Sequence, residues 1–111
     1  MKNTASLHRL RSLSTLILDQ HLAKLQAAAA ERRISLQRLQ DLTPIPAKDL
    51  DDVTRAATLM RYERWADKRR RDINLVLAQQ TATWMEARGK AQAAFGRADV
   101  LMRLAKSAKK P

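Results

Sequence analysis

The sequence contains no cysteine, which excludes disulfide bonds, thiolate chemistry and cysteine-ligated zinc. A reducing compartment, with the cytoplasm as the default, suits such a chain. Aromatic residues make up 4% of the 111 residues and glycine occurs twice. This composition leaves little material for a bulky globular core, so one domain built from paired helices is expected.

Long apolar runs and strand-like patterns are also missing. Strongly apolar runs such as Leu16-Ile17-Leu18 are far below the ~20 residues of a membrane span. β-branched residues never alternate over a strand length, so the expected fold class is all-α. The N-terminal segment carries Lys2, Arg9 and Arg11 and no acid before Asp19, a pattern found in organellar transit peptides as well as in the first turns of an ordinary helix.

One heptad frame runs through the second half of the chain. Apolar residues that recur every three and then four residues define a coiled-coil stripe. Glu63, Arg70 and Gln80 interrupt it. The apolar seam positions are Leu59, Ala66, Ile73, Leu77, Trp84, Ala87, Ala91, Ala94, Ala98, Leu101 and Ala105.

A second stripe predicts an earlier helix. Its expected seam is Leu18, Leu22, Leu25, Ala29, Leu36 and Leu39, interrupted by Arg32 and extended N-terminally by Leu10, Leu13 and Ile17. Pro44 and Pro46 stop this helix. The sequence therefore predicts an antiparallel two-helix coiled-coil hairpin spanning 1–111, with helix one at about 4–42, a turn at 43–48 and a longer helix two at about 49–107.

The turn position implies a pairing register. With the turn centred near residue 46, residue i faces roughly residue 92 − i, so helix one runs out where helix two reaches about Lys90. The stripe of helix two continues beyond that point. An uncovered apolar edge is therefore expected, and its predicted partner-binding residues are Ala91, Ala94, Phe95, Ala98, Leu101, Met102 and Ala105.

The net charge is +11, which favours acidic partners without specifying a fold. The densest basic cluster is interleaved with Glu63, Asp67 and Asp72. It is either a solvated helix face or an anion-binding patch. The candidate basic residues, including those near the C-terminus, are Arg61, Arg64, Lys68, Arg69, Arg70, Arg71, Arg97, Arg103 and Lys106.

No catalytic or metal-binding pattern is found. His8 and His21 are the only histidines, and thirteen residues apart on one helix they lie about 20 Å from each other, too far to share a metal ion. There is no glycine-rich phosphate loop and no nucleophile with a base nearby. The sequence predicts a non-enzymatic protein without a metal or cofactor.

The basic, cysteine-free hairpin pattern and the stretch from Thr83 to Ala93, TWMEARGKAQA, resemble the FliJ and YscO stalk proteins of flagellar and virulence type III export machines. The resemblance covers most of the chain as a pattern and contains no signature motif. It implies a non-catalytic coiled coil that inserts into the export ATPase ring and contacts the export gate.

The expected function is accordingly that of a stalk or adaptor protein in a bacterial export complex. It would be cytoplasmic and peripheral to the complex at the inner membrane. Two alternatives stay open: a basic helical protein associated with nucleic acid, and a self-associating dimer or helical bundle.

Overall fold

Two helices make up nearly all of the computed structural model, which describes residues 2–44 and 49–108. Helix α1 spans Lys2–Asp41 and helix α2 spans Asp52–Ala108, with 40 and 57 residues. The described residues contain no strand. The all-α hairpin with a longer second helix is thus confirmed. Residues 45–48 of the expected turn lie outside the described residues.

The helix ends at the connection follow from local chemistry. Thr43 N donates to Gln40 O at 3.1 Å, which closes the last turn of α1 just before Pro44. At the start of α2, Asp51 Oδ1 accepts a hydrogen bond from Thr54 N at 2.6 Å. A carboxylate in this N-cap position satisfies a free amide and favours the positive end of the helix dipole.

The predicted seam of α2 is confirmed. All its residues are buried or partly buried except Leu59, and Ala66 is fully buried. The three interruptions also occupy the seam. Glu63, Arg70 and Gln80 are each partly buried, so the heptad is continuous in position and polar at three of its places.

The seam of α1 differs from the predicted one. Leu18, Leu25 and Leu39 lie in it as expected, but Leu22 and Leu36 are exposed. The observed seam is a strict heptad with small and polar residues between the leucines. Small side chains at such positions let two helix backbones approach closely. Its members are Leu7, Arg11, Ser14, Leu18, His21, Leu25, Ala28, Arg32, Ser35, Leu39 and Leu42.

The contacts divide the chain into two compact units. Unit 1 combines Met1–Ala29 with Ala82–Pro111, of which residues 2–29 and 82–108 are described. Unit 2 is Ala30–Thr81. Each unit therefore takes one segment from each helix.

Three side-chain hydrogen bonds set the register of unit 2. Ser35 Oγ donates to Gln80 Oε1 at 2.5 Å, and Arg32 Nε donates to Thr81 Oγ1 at 3.1 Å. Nearer the connection, Tyr62 Oη donates to Leu42 O at 2.8 Å. Since earlier residues of α1 bond to later residues of α2, the two segments are antiparallel.

The expected pairing rule is wrong. It places Ser35 opposite Ala57, whereas Ser35 bonds to Gln80. The carbonyl of Leu42 at the end of α1 is met by Tyr62, well after the start of α2 at Asp52. Within unit 2, α2 therefore begins beyond the end of α1, and every residue from 52 to 61 is exposed.

The expected uncovered edge of α2 is also not observed. Within unit 1, Ala91, Ala94 and Ala105 are only 4%, 2% and 5% exposed. The segment of α2 that the sequence predicts to be uncovered is therefore packed against its own chain.

Candidate interaction surfaces

The predicted partner-binding residues fall into two groups. Ala91, Ala94 and Ala105 are buried within the chain, so they are not available to a partner in this conformation. Their burial corrects the expectation of an uncovered edge. The group that retains some exposure consists of Ala98, Leu101 and Met102, which are partly buried, and Phe95, which is 62% exposed.

Phe95 lies on the outer side of the α2 seam in unit 1. Met102, seven residues later, repeats its heptad position, and Met85 is exposed on the same side of the helix. A large aromatic side chain that its own chain leaves exposed has the character of an interface anchor. Its predicted role as an anchor stays a prediction.

Unit 1 also exposes apolar residues that the sequence pattern placed in the seam. Leu10, Leu13 and Ile17 are 51%, 53% and 38% exposed. They are displaced from the seam because the heptad frame of α1 runs through Leu7, Arg11 and Ser14 instead. A strict heptad count through Leu7, Arg11 and Ser14 would have revealed this displacement.

Unit 2 carries an aromatic pair beside its seam. The Tyr62 and Trp65 ring centroids are 5.7 Å apart with an interplanar angle of 45°. Tyr62 is partly buried and donates its hydrogen bond to Leu42 O, while Trp65 is exposed. Leu75 and Val76 are exposed further along the same helix.

Two acidic residues within the basic cluster converge on one arginine. Arg70 Nη1 lies 2.7 Å from Asp67 Oδ1 and 3.4 Å from Glu63 Oε2. This partly buried guanidinium therefore forms ion pairs with both carboxylates. Arg70 thus differs from the exposed cations around it, because ion pairs within the chain already occupy it.

Four cations of the cluster form an outward stripe, defined here as Arg61, Arg64, Lys68 and Arg71. Their spacing of three, four and three residues places them along one face of α2. All four are exposed, and none makes a hydrogen bond or ion pair to another described residue. Arg71 lies one helical turn after Asp67, but Asp67 pairs with Arg70. Arg69 is also exposed but lies outside the stripe.

The C-terminal basic residues are distributed differently. Arg103 Nη2 forms an ion pair with Asp99 Oδ2 at 3.1 Å. Arg97 and Lys106 are exposed and make no such pair within the described part of the chain. These residues lie in unit 1 and the stripe lies in unit 2, so the predicted basic residues belong to two surfaces.

The described part of the chain holds neither a metal site nor a membrane span. Residues 2–44 and 49–108 contain no group of three or more histidine and acidic side chains arranged to hold a metal ion. Over the same residues, neither helix includes a segment sufficiently long and apolar to span a bilayer. A shallow depression beside His8, Arg11 and Thr15 is formed by α1 alone, so it offers no convergence of side chains from different elements.

Comparison with protein-family models, curated proteins and solved structures finds no match to this chain.

Proposed function

We propose that this chain is a non-catalytic coiled-coil adaptor, a stalk-like component of a bacterial flagellar or type III protein-export complex. In this role it binds the export ATPase and other export components on the cytoplasmic side of the inner membrane. The hairpin is the structural element, and its exposed side chains are the binding element. No cofactor is required for such a role.

The observation that carries the proposal is the excess of apolar surface over what the seam buries. Leucine, methionine, valine and phenylalanine side chains stay exposed in unit 1 although its seam positions are filled. Contiguous exposed apolar residues on a small protein mark an interaction site. Phe95, at 62% exposure, is the proposed aromatic anchor.

The proposal is tested by mixing the purified chain with the export ATPase encoded in the same genome and measuring co-migration in size-exclusion chromatography. We expect a stable complex with the ATPase, and we expect Phe95→Gln to weaken it about tenfold, since truncating an aromatic anchor typically costs more than about 1 kcal/mol. Leu75→Gln, which changes an exposed side chain of unit 2, is the matched control. Absence of any complex with the wild-type chain would refute the export function.

A second candidate function is binding to the phosphate backbone of nucleic acid, and the outward stripe supports it. Four cations on one helix face, beside two carboxylates that Arg70 already holds, present a concentrated positive surface. Phosphate contacts of this kind release counterions, so the logarithm of the binding constant falls by about 0.9 per contact for each unit of log salt concentration.

The test of this second function compares two variants of equal net charge. One replaces Arg61, Arg64, Lys68 and Arg71 with glutamine, and the other replaces four exposed cations of unit 1 with glutamine: Arg9, Lys24, Arg97 and Lys106. In a shift assay with duplex DNA, the stripe variant should reduce the salt slope by about 3 to 4, and the unit 1 variant should reduce it less. Equal slopes in the two variants would refute a role for the stripe.

A further inference from the structure

One side of unit 1 carries apolar residues from both helices. Seam residues follow one another at alternating spacings of three and four residues. We label a each seam position at which a spacing of three begins, and g the position just before it. Leu10 and Ile17 in α1 and Leu104 in α2 occupy g positions. In an antiparallel coiled coil the g positions of both helices flank the same side of the pair. Leu13 and Val100 are c positions, which lie next to g on the outer surface.

These five side chains, which we call the g-side face, are all exposed, from 38% for Ile17 to 56% for Val100. All five belong to unit 1, in which the first and last segments of the chain pack together. On α1 the face runs from Leu10 to Ile17, over about 10 Å of helix.

Unit 1, which carries this face, has an excess of positive charge. Residues 2–29 and 82–108 contain nine basic and three acidic residues. Two of the three carboxylates, Glu86 and Asp99, are already ion-paired with Lys90 and Arg103, each at 3.1 Å. Lys24 and Arg97 occupy g positions of the two helices, are exposed and form no ion pair with another described residue.

This charge distribution disfavours a second copy of the chain as the occupant, because two g-side faces would bring cations against cations. It favours an occupant with apolar residues in its centre and carboxylates at its edges. The shallow groove between two antiparallel helices accepts a third helix, whose anchors recur at three- and four-residue spacing.

We propose that the g-side face binds an amphipathic α-helix of a partner protein, with an apolar stripe flanked by aspartate and glutamate. The partner helix lies along unit 1 as a third helix. Its apolar stripe covers Leu10, Leu13 and Ile17, and its carboxylates face Lys24 and Arg97. This inference rests on the proposed adaptor function, since it specifies the surface and the chemistry of the protein partner.

The test uses two synthetic helical peptides of about three heptads with leucine at a and d. One peptide has glutamate at e and g, and the other has lysine there. In fluorescence anisotropy titrations, the full chain should bind the glutamate peptide at least about tenfold more tightly. Equal affinity for the two peptides would overturn the proposal.

Variants locate the site. Leu13→Gln combined with Ile17→Gln should weaken binding of the glutamate peptide about tenfold or more, since two apolar contacts are removed. Leu22→Gln, at an e position on the opposite side of the same helix and 41% exposed, should change affinity less than about twofold. An equal loss with Leu22→Gln would exclude the g-side face.

A charge-reversal variant distinguishes a change in the binding surface from a loss of folding. Lys24→Glu combined with Arg97→Glu should invert the preference so that the lysine peptide binds more tightly, which an unfolded chain would not do. Sedimentation that shows a wild-type dimer abolished by Leu13→Gln with Ile17→Gln would identify a second copy as the occupant and overturn the proposal.

The two proposals fail separately. If the peptide binds and the export ATPase does not, the export function falls and the g-side face stands. If the ATPase binds the wild-type chain and the Leu13→Gln, Ile17→Gln variant equally, while the peptide does not bind, the g-side face falls and the export function stands.

Discussion

Ser35 and Gln80, far apart in the sequence, meet at the seam of unit 2, where the serine hydroxyl donates to the glutamine side-chain oxygen at 2.5 Å. Ser35 is only 2% exposed, so the hydroxyl has almost no access to water. A hydrogen-bonded polar pair in the seam favours one register, because a shift would leave both groups in the seam without these partners. This hydrogen bond therefore defines which residues of the two helices face each other in unit 2.

Removal of one partner should destabilise the chain. Ser35→Ala leaves the oxygen of Gln80 without its donor and should lower the free energy of unfolding by about 0.5 to 1.5 kcal/mol. Ser35→Ala combined with Gln80→Leu should restore most of that loss, since neither polar group then remains. Urea unfolding followed by circular dichroism, analysed as a double-mutant cycle, gives the coupling energy. A coupling energy near zero would contradict the assigned pair.

The register itself can be tested by cross-linking, because the chain has no cysteine of its own. Ser35→Cys with Gln80→Cys should react intramolecularly with a short bis-maleimide, as the two side chains meet. Ser35→Cys with Ala57→Cys represents the register expected from the turn alone and should remain unlinked. Mass spectrometry of the monomer distinguishes the two outcomes, and efficient linkage at residue 57 would reject the structural register.

In the C-terminal half of α2, burial predicts that substitutions at two adjacent alanines differ in their effect on stability. Ala94 is 2% exposed and Ala93 is exposed. Ala94→Leu should lower the free energy of unfolding by about 1 to 3 kcal/mol through overpacking of the seam. Ala93→Leu should change it by less than about 0.5 kcal/mol. Thermal unfolding of both variants provides the measurement. Equal stability of the two variants would indicate that Ala94 lies on an uncovered edge of α2, as the sequence predicts.

Both glycines lie inside α2 and should be replaceable with gain of stability. A Cβ built at Gly89 or at Gly96 meets nothing within 4 Å, and neither residue has a positive φ. Gly89→Ala and Gly96→Ala should each raise the free energy of unfolding by about 0.5 to 1 kcal/mol, because alanine loses less backbone entropy in a helix. Urea unfolding measures the gain. Ala93→Gly is the reverse control and should lower the free energy of unfolding by a similar amount.

The N-cap of α2 predicts a pH dependence. The hydrogen bonds from the Thr54 side chain and backbone hold the pKa of Asp51 below its ordinary value of 3.8. Because the folded-state pKa is the lower one, the stabilisation is present above pH 3.8 and is lost as the pH falls through the folded-state pKa.

Asp51→Asn isolates this effect, since asparagine keeps the acceptor and removes the charge. The wild-type chain should have the higher Tm at neutral pH, and the difference from Asp51→Asn should close under strongly acidic conditions. Asp51→Ala should have the lowest Tm of the three at neutral pH. A difference between wild type and Asp51→Asn that does not vary with pH would contradict the role of the carboxylate.

The sequence allowed the seam of α2 to be predicted almost completely and the seam of α1 only in part. In α2 the apolar residues themselves keep the heptad, so position and chemistry agree. In α1 the heptad passes through Ser14, His21 and Ser35, while Leu22 and Leu36 flank it. Hydrophobicity therefore pointed to the neighbours of the true seam residues.

The register could not be obtained from the turn. A prediction centred on Pro44 and Pro46 assumes that both helices begin pairing at the connection, but the hydrogen bond from Tyr62 to Leu42 lies well inside α2. A tyrosine hydroxyl that bonds to a helix-terminal carbonyl leaves no local sequence pattern. The error in register then produced the expected overhang, and with it the misplacement of buried alanines such as Ala94.

The sequence identified the basic cluster but not which of its cations form ion pairs within the chain. Spacing alone cannot reveal that Glu63 and Asp67 both turn toward Arg70, since each acid has several cations within one helical turn. Only the seam position of Arg70, partly withdrawn from water, makes it the common partner. For that reason, neither of these two carboxylates pairs with a cation of the outward stripe.

The two tryptophans fall in different units, Trp65 in unit 2 beside Tyr62 and Trp84 in unit 1 with the Arg88 guanidinium carbon 5.6 Å from its ring centroid. Each unit thus carries its own intrinsic fluorophore. Replacing either indole with phenylalanine leaves emission from one half of the molecule alone, so melting of the two halves becomes separately observable in a single chain without any attached dye.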